Sequence, residues 1–381
     1  MKILELIKKY VAHSRWKFCP PQKRDILIFD GIKNPFKEYV KKSNYNILYR
    51  RGEEINLFIL LICILKFKIT SKSYFEFFIK YANPKIILTA IDNLETFYTL
   101  YKVTKVPNLF IQNGVRSAWN DVFTDKKVFA KKNKKKFLVN HMLVFNKTVA
   151  KKYNFFITGK TYPIGSFNNN IIYLKKKIKK KKEVLFISTF KPHLIESKKK
   201  IFSKFSQKYF FSREGEAIVR LSNLCKKYNL KLNILGRNSG KNKIMEKQFF
   251  DMSCKVDYNF FTQEDFKINS YQIMEKYKYV ITIDSTLAIE NFAKKNRTGF
   301  FFNRPYKFPI NTRRFGGLEK LSRKGPNWTT YNNNKEFDRV FKFLIKGSDK
   351  NWTKTFKNHN YKTLNYDGGN KTFLKIINKY I

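Results

Sequence analysis

Acidic residues are scarce in this chain of 381 residues: 28 Asp and Glu stand against 79 Lys and Arg, a formal net charge of +51. A balance that basic first suggests nucleic acid, anionic lipid or small anionic ligands as partners. Base composition is a second source for it, because the abundant residues (Lys, Ile, Asn, Phe and Tyr) all have AT-rich codons. The charge is spread along the chain, and no helix-turn-helix, zinc-finger or RNP-type motif occurs, so no specific nucleic-acid partner is expected. Cysteine is scarce too. Cys19, Cys63, Cys225 and Cys254 lie far apart, no CxxC pair exists, and the four His are scattered. Neither a zinc centre nor a disulfide framework follows, and a reducing cytoplasm fits.

Long apolar runs are missing. The longest, Leu57 to Leu65, falls far short of the ~20 residues that span a bilayer. Glu5, Lys8 and Lys9 interrupt any signal-peptide core at the N-terminus. That segment reads instead as a basic amphipathic helix. Ile3, Leu4, Leu6, Ile7, Tyr10 and Val11 share a face, which either docks on the protein's own first domain or lies on an anionic membrane surface. Several motifs are absent as well. Without Gly-x-Gly-x-x-Gly after the first strand, a dinucleotide dehydrogenase is disfavoured. Without Gly-x-Ser-x-Gly, so is an α/β-hydrolase. Gly236-xxx-Gly240-Lys241 is too short for a Walker A loop, and Asn242 stands where Ser or Thr is required. No Asp-x-Asp occurs, so the metal-holding motif of single-domain nucleotide-sugar transferases is missing.

Hydrophobic residues make up 43% of the chain, enough for two sizeable cores. Short apolar strands alternate with helical stretches. Asp25–Asp30, Asn46–Tyr49, Lys85–Thr89, Asn108–Gln112 and Met142–Phe145 read as strands, with helices over Tyr74–Tyr81, Leu94–Tyr101 and Lys147–Tyr153. The run Lys175–Lys182 is a like-charge block that reads as a solvated linker. A second series follows, with strands at Glu183–Ser188, Lys231–Leu235, Val256–Phe261, Tyr279–Ile283 and Thr298–Phe302. Its helices are Glu214–Tyr228, Ser270–Lys276, Thr286–Lys294 and Lys335–Ile345, and Lys371–Tyr380 reads as a terminal helix. Such alternation implies βαβ units and parallel sheets. The expected organisation is a basic N-terminal segment (1–24), an α/β domain (25–174), the linker (175–182), a second α/β domain (183–350) and a C-terminal tail with a helix (351–381).

The candidate functional residues sit at strand ends, where open α/β sheets bind ligands. Asp284, Ser285 and Thr286 form a turn between a strand and a helix, whose first N–H groups favour an anion. Glu290 lies one turn on and could accept from a ribose hydroxyl. Read plainly, the same residues are an N-cap and a solvated helix position. Gln112, Asn113, Gly114 and Arg116 follow another strand. Gly114 permits a sharp turn, and Arg116 suits an anionic group. Lys191 and His193 follow the first strand of the second half, where they could face a phosphate or a leaving group, with His193 an acid or base. Arg237 follows the next strand. Asp30, Asp92 and Asp121 lie at or after strand ends of the first half and are the carboxylates available as a general base, Asp121 being preferred.

Taken in order, Ile-Leu-Ile-Phe-Asp30, Ile-Gln-Asn-Gly114, Ile-Gly-Ser166, Val-Leu-Phe-Ile-Ser-Thr189, Leu-Gly-Arg237 and Ile-Asp-Ser-Thr-Leu-Ala-Ile-Glu290 resemble bacterial surface-carbohydrate biosynthesis proteins. These are similar in layout to GT-B glycosyltransferases, including capsule sialyl- and Kdo-transferases. The resemblance covers roughly residues 20 to 345. It implies two Rossmann-like domains facing a cleft, with a nucleotide sugar held by the second half and a glycan or lipid-linked glycan acceptor by the first. It further implies metal-independent transfer without a cofactor beyond the nucleotide-sugar co-substrate. Ser285-Thr286 matches the Ser-Thr pair that contacts a CMP donor in the sialyltransferase-like members. Lys191-Pro192-His193 reverses their His-Pro pair, which puts a CMP donor in doubt. The other readings left open are a polyol-phosphate or sugar-phosphate transferase of CDP-glycerol type, a basic nucleic-acid binder, and a non-catalytic scaffold. The place of work expected is the cytoplasm, at the inner face of the membrane if the N-terminal helix docks there.

Overall fold

Strands inside a parallel sheet are covered on both faces, so they read as unbroken apolar runs. The computed structural model describes residues 14–31, 34–114, 136–171, 179–192, 211–266, 269–303, 322–359 and 364–381. The N-terminal residues expected to form an amphipathic helix lie outside these. The described residues divide into two compact units.

In the first unit, β1 (Arg15–Lys17) pairs with β4 (Glu54–Asn56) in a small parallel ribbon. The main sheet holds β2 (Ile26–Phe29), β3 (Tyr45–Leu48), β5 (Ile86–Thr89), β6 (Asn108–Ile111), β7 (Phe137–Val144) and β8 (Ile157–Pro163), in the order β3-β2-β5-β6-β7-β8 and parallel throughout. Every residue of β2, β5 and β6 is buried. Helices α1 (Leu57–Leu65), α2 (Ser71–Ala82) and α3 (Lys147–Phe156) belong to this unit. The sequence pattern did not show β8, because it is an edge strand whose residues Thr158, Gly159 and Lys160 are exposed. Beside a bulge in the β7–β8 register, Gly159 has φ +145°, and a Cβ there would stand 1.6 Å from the Val139 carbonyl oxygen. Gly159→Ala is therefore expected to cost about 1–3 kcal/mol, measurable by urea denaturation.

The second unit opens with β9 (Lys181–Ile187). Its sheet continues with β10 (Leu232–Leu235), β11 (Tyr258–Phe261), β12 (Tyr277–Thr282), β13 (Thr298–Phe301), β14 (Lys324–Gly325) and β15 (Trp328–Thr329), ordered β11-β10-β9-β12-β13-β15-β14. Only the β14–β15 pairing in it is antiparallel. Helices α4 (Ser212–Lys227), α5 (Gly240–Ser253), α6 (Thr286–Ala293), α7 (Asn334–Lys346) and α8 (Asp349–His359) belong to it, as does the short helix Ser270–Glu275. Part of the expected lysine linker lies outside the described residues. Its last two residues, Lys181 and Lys182, already belong to β9, with the Lys181 amide donating to the Lys276 carbonyl at 2.8 Å.

The expected C-terminal tail is divided between the units. Helix α8 stays in the second, while Asp367–Ile381 returns to the first. There the helix Lys371–Ile377 presses Phe373, Ile376 and Ile377 into the core built by Ile26, Ile28, Phe36, Ile86, Leu88 and Phe167. The Phe373 ring stacks on Phe36 and meets Phe167 edge-on. Polar contacts fix the return. Asn170 donates to the Asn370 side chain at 3.0 Å, Asn370 donates to Tyr39 and to the Phe167 carbonyl, each at 2.9 Å, and Gly369 N donates to the Asn170 carbonyl at 2.7 Å. Among the described residues no helix is long and apolar enough to cross a membrane.

Candidate nucleotide site

The order of the second sheet determines where a ligand can sit. From β9 the chain steps to β10 and β11 on one side, then returns to β12 and β13 on the other. Connections leave β9 and β12 in opposite senses, which opens a crevice at the carboxyl ends of the strands. A cavity of about 660 Å³ lies there, lined from four neighbouring strand ends. Ser188, Thr189 and Lys191 come from β9, Gly236, Arg237 and Asn238 from β10, Thr262 and Glu264 from β11, and Asp284, Ser285 and Thr286 from β12. Five of the six residues read from the sequence as nucleotide-binding thus meet around one cavity: Lys191, Arg237, Asp284, Ser285 and Thr286. The sixth, Glu290, is buried in α6 and is not among the lining residues.

Two helix N-termini reach the cavity edge. Ser285 caps α6 and Ser239 caps α5, and neither side chain takes up an N–H of its own helix. First-turn N–H groups are therefore left uncapped by these serines, and Arg237 and Lys191 line the same cavity. Two acids, Asp284 and Glu264, share the lining, so the cavity offers both cationic and accepting groups.

Buried side chains hold the loops that form this edge. Glu214 of α4 accepts from the Thr189 N–H and hydroxyl, both at 2.8 Å. Glu246 of α5 accepts from the Arg237 N–H at 3.2 Å, from the Asn238 N–H at 3.0 Å and from the Asn238 side chain at 2.7 Å, and also from the Ser188 hydroxyl. Both glutamates are almost wholly inaccessible. Thr282, at the end of β12, donates its hydroxyl to the Ile187 carbonyl at 2.9 Å and accepts from Ser285 N at 3.3 Å, tying the turn Asp284–Thr286 to β9. Sequence reasoning missed all three. For Glu214 a signal existed: it lies four and seven residues before Ile218 and Leu221, an acid within the apolar stripe of its helix.

In the first unit the switch falls between β2 and β5. A cavity of about 200 Å³ at that carboxyl edge is lined by Asn34, Ala90, Gln112, Asn113 and Ser166, among others. The Gln112 amide donates to the Gly114 carbonyl at 2.8 Å and accepts from Phe145 N at 2.8 Å, so it braces the turn that presents Asn113. Asp92 accepts from Asn113 N at 3.0 Å and from the Tyr153 hydroxyl, and is fully buried. That is a structural post for a residue considered as a base. Asp30 is buried at φ +61°, with Oδ2 at 3.5 Å from Arg50 Nε and 3.4 Å from an Arg51 nitrogen. Its oxygens make no hydrogen bond to a described residue. Arg116, Asp121 and His193 lie outside the described residues.

Two Rossmann-like units, each with a crevice at the carboxyl edge of a parallel sheet, define an α/β protein of GT-B type. The family described as "putative O-antigen biosynthesis protein" matches residues 109–381, from β6 through the whole second unit to the C-terminal helix, and the chain belongs to that family. It is thus a surface-carbohydrate biosynthesis protein, as the ordered motifs implied. No curated protein matches it. Among solved structures, the wall teichoic acid polymerase TagF shares the fold, with TM-score 0.51 and 12% identity over 94% of this chain and 89% of that one. MurG of Acinetobacter baumannii gives TM-score 0.47 and 8% identity over 94% of this chain and 99% of that one. The glycosylation-associated Gap123 complex of Streptococcus agalactiae gives 0.45 and 12% over 81% of this chain, which spans 58% of the length of that one.

Proposed function

We propose that the chain is a glycosyltransferase of surface polysaccharide assembly that seats a nucleotide-activated sugar in the second-unit cavity. The observation that carries the reading is the convergence of Lys191, Arg237, Ser285 and Thr286 at a strand-order switch. A volume of about 660 Å³ lies within the range of small-molecule sites. In this reading Ser285, Thr286 and the first turn of α6 hold a phosphate, and Lys191 and Arg237 neutralise its charge. No resident metal or cofactor is invoked, the nucleotide sugar being a co-substrate. Gln112, Asn113, Gly114 and Arg116 are assigned to the side of a glycan or lipid-linked glycan acceptor. The acceptor hydroxyl needs a general base, for which Asp30, Asp121 and His193 are the candidates. In this reading the protein works in the cytoplasm, peripheral to the inner face of the membrane where a lipid-linked acceptor would be met. A second reading, polyol-phosphate transfer from a CDP-linked donor, has one observation in its favour: the TagF structure of the same fold was soaked with CDPG.

A thermal-shift panel with CMP, CDP, UDP, GDP and dTDP tests the seat. A ligand at ~100-fold excess over its Kd is expected to add about 2.7 kcal/mol. The response should fall away in Ser285→Ala/Thr286→Ala. If no nucleotide stabilises the wild type, the proposal fails. An equal response from the double variant would move the seat elsewhere. CDP alone acting would favour the second reading.

A further inference from the structure

Helix α1 is apolar on every face, with the sequence LFILLICIL. Only Ile59 and Cys63 are buried, while Leu61, Ile64 and Leu65 are exposed, Leu65 at 74%. A helix apolar all round is ordinarily buried, and this one presents an open side. Its end extends the same character. The exposed sequence Lys66-Phe67-Lys68-Ile69 follows, then Thr70, which caps α2, and the exposed Lys72 near the start of that helix. Phe67 is 93% exposed and Ile69 70%.

The backbone of this turn carries the second observation. Phe67 N donates to the Ile64 carbonyl and Lys68 N to the Cys63 carbonyl, both at 2.9 Å. That is a Schellman cap, whose left-handed position normally takes Gly. Here Phe67 occupies it at φ +53°. A bulky aromatic in that conformation is strained, and a side chain so exposed gains almost no packing within the fold. The strain is stored at a tip that shows solvent an aromatic ring flanked by lysines.

We propose that this tip, Leu61 to Ile69 with Lys66, Lys68 and Lys72, is a docking surface for an anionic lipid bilayer. The alternation of apolar side chains with lysines selects the occupant. Lysine is depleted from the cores of protein–protein interfaces, whereas lysines among Phe and Leu are what an anionic membrane interface takes. Glu76 is the one exposed acid on the following helix, against Lys72 and Lys80. The surface belongs to the first unit, to which the acceptor is assigned. It deepens the peripheral placement proposed above and does not involve the nucleotide cavity.

Flotation of the full chain with phosphatidylcholine vesicles, with and without phosphatidylglycerol, tests it. A chain of net charge +51 adsorbs to anionic lipid through many faces, so the charge-neutral Phe67→Gly carries the weight. Phe67→Gly is expected to raise the Tm, by relieving the strain, and to lower the anionic-vesicle partition coefficient about tenfold. Lys66→Gln/Lys68→Gln/Lys72→Gln should reduce the preference for anionic over neutral vesicles without changing Tm. Vesicle binding by Phe67→Gly equal to wild type overturns the proposal. So does a wild-type dimer that Phe67→Gly turns into a monomer, since a second copy would then cover the tip. Nucleotide thermal shifts, retained in Phe67→Gly, keep this outcome separate from the fate of the nucleotide seat.

Discussion

Glu246→Ala is expected to lower the Tm by about 6–12 °C and to abolish stabilisation by nucleotide. Alanine leaves the Ser188 hydroxyl, the Arg237 and Asn238 N–H groups and the Asn238 amide without their acceptor. A buried donor left unmade costs about 1–3 kcal/mol. Partial relaxation and access of water to the partly buried loop hold the total to roughly 3 kcal/mol, and each kcal/mol moves Tm by about 2–4 °C in a unit of this size. The same donors set the shape of the loops after β9 and β10, so the cavity edge is lost with them. Glu246→Gln keeps the volume and one acceptor oxygen, and its Tm should lie between wild type and Glu246→Ala. An unchanged Tm in Glu246→Ala, measured by circular dichroism, would show that this residue does not hold the loops.

Phe373→Ala should destabilise the first unit by about 3–5 kcal/mol, the range for a fully buried Phe cut to Ala. Its ring meets Phe36, Tyr39 and Phe167, and no part of it is accessible. The effect should be local. In hydrogen exchange, amides of β2, β5 and β6 should lose protection while those of β9, β10 and β12 keep theirs. Equal loss in both units would show that the two unfold together.

The buried parallel strands were legible because both faces are covered. Ile26–Phe29, Asn108–Ile111 and Leu232–Leu235 are each mainly apolar, with only Asn108 and Asn233 polar, and the sequence reading placed each within a residue or two of its observed limits. Of the elements missed, α1 is an apolar run that was read only for its length, and the others lack that signature. Strand β8 is an exposed edge, β14 and β15 are two residues each, and α5 and α8 begin in polar sequence with few apolar positions. The cavity's direct lining was readable for a related reason. Strand-end residues follow an obvious run, so Arg237 and the turn Asp284–Thr286 could be found by position alone. Glu214, Glu246 and Thr282 were not found that way, because Glu214 and Glu246 act from within helices and Thr282 acts across the sheet on the Ile187 carbonyl. Apart from the acid set within the apolar stripe of α4, local spacing carries no record of such contacts.

The return of Asp367–Ile381 to the first unit has a consequence for biosynthesis. A ribosome makes the chain from its N-terminus, so β2 through β8 emerge early, while Phe373, Ile376 and Ile377 emerge only after the whole second unit. Until then, the part of the first core that these three side chains fill stays open. The second unit, none of whose described residues lies beyond Tyr366, can close first, although most of it is made later. Folding of the earlier half thereby waits on Lys371–Ile377, which is made after the second unit, and the interval is a window in which a chaperone or a bilayer can shield the open patch.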